Sequence, residues 1–342
     1  DAARAGAPLD LTPSPSCRDY LVWRDHQPDD RDWWQAELGG EGDPVTLTGT
    51  LGRPSRPEPG IYRQITRIDA AGTARLKAAA AAAGITLNTL VQGAWAVLLT
   101  RFGGGGPVAF GVTMSGRPAG LAGVERMQGL FITSLPVRVA VPGSMAPAAW
   151  LRALQDRNTD RQDHQHASLG DIRRWTGLAG DALFDSLLVF ENYPVAEGLR
   201  ETGFGGRITT IDMAERTEYP LTLAVLPGDG LDLRWDWDGA RIDRAAIGEM
   251  AAALTYLLEA LADQIDRPDN GLPLGAIHLP RSLPQAGMAV PSPSVPFRSV
   301  VERIAALASA APDRPAVSCG AERIDRAGLD DCGRRWPIAA CG

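Results

Sequence analysis

Strand-like and helical segments alternate in a mixed order along most of the 342 residues, which predicts an α/β sandwich built on a mixed sheet. Three observations carry this expectation. Residues 61–68 (IYRQITRI) alternate apolar and polar as a half-buried strand does. Residues 87–102 and 243–265 instead repeat their apolar residues at helical spacing. Finally, PLTLAVLPGDG at 220–230 runs into LDLRWDWDG at 231–239 through a Pro-Gly-Asp-Gly turn, a hairpin, whereas other strands are separated by helix-length crossings.

The elements follow in order. RDYLVW at 18–23 and RDWWQAELGG at 31–40 place Tyr20, Trp23, Trp33, Trp34 and Leu38 on helical faces, with Gly39 and Gly40 as a stop. Residues 41–60 are rich in proline and glycine and read as an extended crossing. After the strand at 61–68, alanine-rich 71–83 is helical and ends at Gly84, a natural left-handed position beyond the helix end. Thr86 caps the next helix, whose apolar face contains Leu87, Leu90, Val91, Ala94, Trp95 and Leu98. GGGGP at 103–107 is a turn, because no Lys-Ser/Thr follows to make it a phosphate loop. Strands follow at 108–116 and 128–141, with Pro136 marking a bulge or an edge. Helices span 147–163 and begin again at Ser168, and further strands lie at 185–194 and 207–212. In the helix at 243–265, Ile247, Met250, Ala251, Leu254, Leu257, Leu258 and Leu261 share one face. RSLPQAGMAVPSPSVPF, at 281–297, has no periodicity and reads as a linker. A helix and a strand then open a second unit too short to bury a core unaided.

Composition excludes several function classes. With 34 basic and 41 acidic side chains the net charge is −7, opposite to what binding a nucleic-acid backbone requires. No apolar run reaches the roughly 18 residues of a membrane span, and no secretory leader opens the sequence. Lys77 is the single lysine among the basic residues, a bias that fits a GC-rich coding background. Three of the four cysteines, Cys319, Cys332 and Cys341, cluster late without a CxxC pair or a nearby histidine, so free thiols in a reducing compartment are expected and a metal site is not.

Spacing alone names no catalytic group. His26 and Asp30 form an HxxxD pattern, but in a Pro-containing acidic turn that reads as a solvated loop. His164 and His166, two apart at the end of a helix, are expected to diverge. Ser115 lacks the preceding glycine of a nucleophile elbow and reads as a turn residue. Asp185, Glu191 and Asn192 sit at a strand end near a cleft, and Trp235 with Trp237 reads as packing.

Four blocks in sequence resemble the condensation domain of nonribosomal peptide synthetases: RDYLVW at 18–23, the long block at 87–139, RQDHQHASLGDIRRWTG at 161–177 and FDSLLVFENYP at 184–194. SVVERIAALASAAPDRPAVSCGAERIDRAGLD, at 299–330, is similar to the opening of an adenylation domain. The resemblance implies a chloramphenicol acetyltransferase-like fold of two lobes around a tunnel. Two carrier proteins would present acyl groups there on phosphopantetheine arms for peptide-bond formation. The family's His-His-x-x-x-Asp-Gly motif is not present, and Thr133-Ser134 stands where the family has Asn-Thr.

These features lead to the expectation of roughly the latter two-thirds of a condensation domain. Residues 1–56 would be a remnant of lobe one with its crossing, 57–280 lobe two, 281–296 a linker and 297–342 an adenylation-domain stub. The first lobe would be truncated and the second complete, and the tail after Asp331 resembles a truncated or frame-shifted end. Such a chain would be cytoplasmic and inactive alone, with no catalytic residue, metal or cofactor of its own. Its partners would be carrier proteins and the neighbouring adenylation domain. The motif positions imply Ser115, Arg117, Thr133 and Ser134 as tunnel-wall candidates. Two other functions compete: a non-catalytic module that docks carriers, and a stand-alone coenzyme A-dependent acyltransferase using His26.

Overall fold

The computed structural model describes residues 14–40, 44–51, 54, 57–103, 105–177, 183–191, 217–267, 271–279, 290–291, 300–319 and 322–335. The expected strand at 207–212, Asn192, Cys341 and nearly all of the proline-rich 281–296 lie outside them. Two compact units result, Asp1–Ser292 and Pro293–Gly342.

The first unit begins with helices α1 (Cys17–Asp25), α2 (Arg31–Leu38) and the short α3 (Leu47–Leu51). β1 (Ile61–Ile68), α4 (Ala70–Ala82), α5 (Leu87–Phe102), β2 (Val108–Met114) and β3 (Thr133–Val139) follow. The chain continues through α6 (Pro147–Asp163), α7 (Leu169–Thr176), β4 (Ser186–Phe190), β5 (Leu221–Pro227), β6 (Leu231–Asp238) and α8 (Arg244–Ile265). A two-residue strand, β7 (Val290–Pro291), lies inside the stretch expected to be a featureless linker. The sheet order is β3-β2-β4-β5-β6-β1-β7, with β4 parallel to β2 and β5 and the other neighbours antiparallel. This is the mixed sheet that the alternation of hairpins and crossings implies.

Burial follows the apolar pattern. Leu231, Leu233, Trp235 and Trp237 point from β6 into the main core, where Trp95 of α5 meets Trp235 at 5.8 Å between ring centroids. All seven residues assigned to the inner face of α8 are buried there. This helix is long and apolar enough to cross a membrane, yet its apolar face is spent on the core. The opposite face of β6 carries charge. Arg63 sits directly across from Asp236 and binds it at 2.6 Å, and Arg234 joins both Asp236 (3.0 Å) and Glu191 (3.3 Å). Glu191, read as a cleft residue, is thus part of an ion network.

Local signals hold at the helix ends: Thr86 and Ser168 cap α5 and α7, and Gly84 has φ +69°. Pro136 marks an edge rather than a bulge, since β3 is the outermost strand and its register with β2 is unbroken. Two expectations change. The strand at 128–141 shortens to Thr133–Val139, because Phe131 turns inward against Tyr20 at 4.8 Å and beneath the Arg117 guanidinium at 4.3 Å. The crossing at 41–60 is also more than extended chain. Val45 bridges to Val108, and the buried Asp185 carboxylate accepts hydrogen bonds from the backbone N–H of Leu47 (2.8 Å) and of Thr48 (2.7 Å). Asp185 is therefore the anchor of α3, not a cleft residue.

In the second unit, α9 (Val300–Ala310), β8 (Pro315–Cys319), β9 (Glu322–Asp325) and α10 (Arg326–Arg335) form a hairpin with two helices. The expected helix and strand are its first two elements.

Replacing Asp185 by Ala leaves the buried Leu47 N–H unpaired, a loss of about 2 kcal/mol. Denaturant unfolding of Asp185→Ala should show that deficit, with hydrogen exchange rising first at Leu47 and Thr48.

Candidate functional site

A half-open cavity of about 920 Å³ lies where the N-terminus of α5, the C-terminal ends of β2, β4 and β5, and the last turns of α6 converge. Trp23 of α1 and Gln27, just beyond that helix, supply one more wall. The α5 edge is rigid for a local reason. The Thr86 hydroxyl accepts the Thr89 N–H at 3.1 Å, and Gln155 of α6 accepts from both the Thr86 N–H (3.0 Å) and the Thr89 hydroxyl (2.7 Å). The wall is rich in neutral amides: Gln27, Asn88, Gln155, Asn158, Gln162 and Gln165 all line it, with Lys77, Arg117 and Asp163 as the charged lining residues among those described. Such a surface presents paired donors and acceptors without a strong field, which suits a long neutral polar ligand.

Ser115 and Arg117 both reach this cavity. They belong to the turn leaving β2, held by three contacts. Gly116 at φ +66° is packed so tightly that a β-carbon would overlap the Phe131 carbonyl. Its N–H donates to Gln165 Oε1 at 3.2 Å. The Arg117 guanidinium donates to the carbonyls of Val124 and Met127 and covers the Phe131 ring. Arg117 therefore braces the loop with its head group, and Ser115 is the freer hydroxyl at the rim. Thr133 and Ser134 lie one strand away, opposite Met114 and Thr113 in register. The described cavity wall contains Thr113 and Met114 and not these two.

The histidines differ from expectation. His164 and His166 lie on a turn beyond the end of α6 rather than on the helix. They converge on Asp30, with His164 Nδ1 2.9 Å from Oδ1 and His166 Nε2 3.0 Å from Oδ2. Asp30 is not solvated but 5% exposed. His26, its supposed partner, is exposed, and its Nδ1 lies 2.6 Å from the Val22 carbonyl of its own helix. Among the described residues no group of three or more His, Cys, Asp or Glu side chains is disposed to hold a metal ion. Nearby, Glu37 of α2 binds Arg157 and the buried Arg161 of α6, whose burial lowers its affinity for the proton while Glu37 opposes that shift. Cys17 of α1 is a free thiol.

The resemblance implied Ser115 and Arg117 as wall residues, whereas Asn88 and Gln165, inside the same blocks, were not singled out, and Gln155 and Asn158 lie outside them.

Two outcomes follow from this geometry. Gly116→Ala should disrupt the turn, costing about 3 kcal/mol by thermal unfolding, because strained φ and overlap add. Ser168, which fixes the exit of the histidine turn, accepts the Asp171 N–H at 3.0 Å and contacts the Asp171 carboxylate at 2.8 Å. That hydroxyl, helped by Arg174 and opposed by burial, holds the Asp171 carboxyl below its ordinary range. A depressed folded value stabilises above the unfolded one and fades as pH falls through the folded one. Ser168→Ala should therefore cost about 1 kcal/mol at neutral pH, and unfolding at stepwise lower pH should show the difference shrinking as Asp171 protonates.

A family profile described as "Condensation domain" matches residues 1–274. The chain is 37% identical over 244 residues to a linear gramicidin synthase of Brevibacillus parabrevis, covering 70% of this chain and 3% of that one. It is 36% identical over 277 residues to chondramide synthase cmdD of Chondromyces crocatus, covering 80% and 7%. The chain thus spans only a small part of these relatives. A solved first condensation domain of the calcium-dependent antibiotic synthetase, in complex with a substrate analogue, superposes with a TM-score of 0.60 at 18% identity, over 81% of this chain and 60% of that one. The fold is the chloramphenicol acetyltransferase-like one that the motif blocks imply. With a profile match over residues 1–274 and a mixed sheet in that fold, this chain belongs to the condensation-domain family of nonribosomal peptide synthetases.

Proposed function

We propose that the chain supplies one side of a peptide-bond-forming site that joins acyl groups tethered to carrier proteins. The observation that supports this most is the amide-lined cavity of about 920 Å³ at the end of β2, where the family's signature block delivers Ser115 and Arg117. A phosphopantetheine arm is a thread of amides ending in a thioester, and neutral donors and acceptors along a wall match it. The arm belongs to the carrier and enters as substrate, so the chain needs no cofactor or metal of its own.

In the proposed step the acceptor amine attacks the donor thioester carbonyl. A C–N bond forms, the C–S bond breaks, the amine proton passes to a base, and the donor arm leaves as a free thiol. The residues of this chain bind and orient. Ser115 and the amides hold the arm near the rim, and the braced Arg117 keeps that rim in place, which supplies proximity rather than acid–base chemistry. The base would come from a His-His-x-x-x-Asp-Gly segment that residues 1–342 do not contain.

In the same proposal, residues 1–56 are a remnant of lobe one and 57–280 lobe two. Residues 281–296 are a linker, and 297–342 open an adenylation domain, the neighbouring partner. The setting is the cytoplasm.

Calorimetry of the 342-residue chain with a carrier protein tests the reading. The phosphopantetheinylated carrier should bind at least about ten-fold more tightly than the unmodified one, the equivalent of about 1.4 kcal/mol from the arm. Amide product should form only with a chain extended upstream through the histidine motif. Equal affinity for both carriers would overturn the proposal. So would coenzyme A ester turnover by the chain alone that His26→Ala abolishes, the sign of a stand-alone acyltransferase.

A further inference from the structure

Asp30 joins two parts of the cavity wall that the chain delivers separately. Its carboxylate is 5% exposed and lies between the imidazoles of His164 and His166. Each ring also meets an indole. Trp33 of α2 stacks on His164 at 4.1 Å with 20° between planes, and Trp23 of α1 meets His166 edge-on at 6.1 Å. Gln165, between the histidines, is buried and accepts the Gly116 N–H. Two cavity residues therefore hang on this cluster: Trp23 directly, and Gln165 through the turn it shares with the histidines.

A buried charge with two partly buried partners is a poor device for stability, since desolvation offsets much of the attraction, whereas its geometry is demanding. The contacts are close without being well-aligned hydrogen bonds, because Asp30 Oδ2 and His164 Nδ1 have no hydrogen-bond partner of good geometry. Direction comes instead from the indoles. What the arrangement does well is set position: α2 cannot shift relative to the turn after α6 without parting the Asp30 carboxylate from both imidazoles, and Trp23 of α1 packs against one of them.

We propose that Asp30 is a positioning residue for the cavity. Through His164 and His166 it holds the turn that carries Gln165. Gln165 in turn holds Gly116, and so the Ser115 rim, in the conformation that accepts a carrier's arm. This rests on the proposed function for its ligand but not for its mechanics.

The test uses the whole 342-residue chain, with hydrogen exchange at Gly116 and Arg117 and the affinity for an N-acetyl-glycyl pantetheine amide as readouts. Asp30→Asn keeps the shape and removes the charge. It should raise exchange at Gly116 by about ten-fold, the loss of roughly one hydrogen bond, and weaken the probe by a similar factor. Exchange in α8 should stay unchanged, which a general loss of stability would not allow, and Asp30→Glu should restore part of both effects. Gln165→Met should reproduce the exchange at Gly116 while leaving the fluorescence of Trp23 and Trp33 as in the parent. If Asp30→Asn does not fold, His166→Gln, which keeps His164 on the carboxylate, should give the same pattern at reduced size. Gly116 exchange within about two-fold of the parent in the folded variant would overturn the proposal. If the parent chain itself fails to bind the probe while the exchange pattern appears, the positioning role stands and the ligand assignment fails.

Discussion

Helix α5 is buried from Thr89 through Leu99, and the rest of the first unit is arranged around that fact. A helix apolar on all sides must be enclosed, and here α4, α6 and α8 surround it while the sheet closes the layer. Its enclosure leaves only its ends to meet solvent, Thr100, Arg101 and Phe102 at the close and Leu87 and Asn88 in the first turn. That turn opens on the cavity, so the most constrained element of the core also supplies the most rigid edge of the site. Gln155 reaching across from α6 to Thr86 and Thr89 ties the two helices together at that edge.

Around this apolar layer four sets of buried charged groups are paired over long distances in sequence. Asp185 holds residues nearly 140 positions earlier, Glu37 meets Arg157 and Arg161, Arg63 meets Asp236, and Asp30 meets His164 and His166. Each joins an early segment of the chain to a late one. Apolar burial sets how much of the chain is compact, and these contacts select which segments lie side by side. Three of the four involve residues 30–48, where short helices with little core of their own have to be placed. Trp34 and Leu38 of α2 supply the accompanying apolar contact, with Leu135, Ala167 and Ile172.

The wall of the cavity has the same character. It contains six amide side chains from two helices and two turns, and none of them reads as functional by local pattern. Ser115 and Arg117 were legible only because they follow a strand in a recognisable block. There the Arg117 guanidinium lines the cavity while donating to the carbonyls of Val124 and Met127.

The amino-acid sequence by itself determined the mixed α/β class, the spans of α4, α5, α6 and α8, the caps at Thr86 and Ser168 and the hairpin at 227–231. All of these depend on periodicity or on one residue's backbone preference, and so act over a few neighbours. Tertiary structure alone decided that 128–132 leave the sheet, that Asp185 anchors a crossing, and that two histidines meet one carboxylate. It also decided which end of which helix faces the cavity. The physical reason is range: a strand or cap is settled within its own segment, whereas a buried charge is settled by whatever partner the fold brings to it.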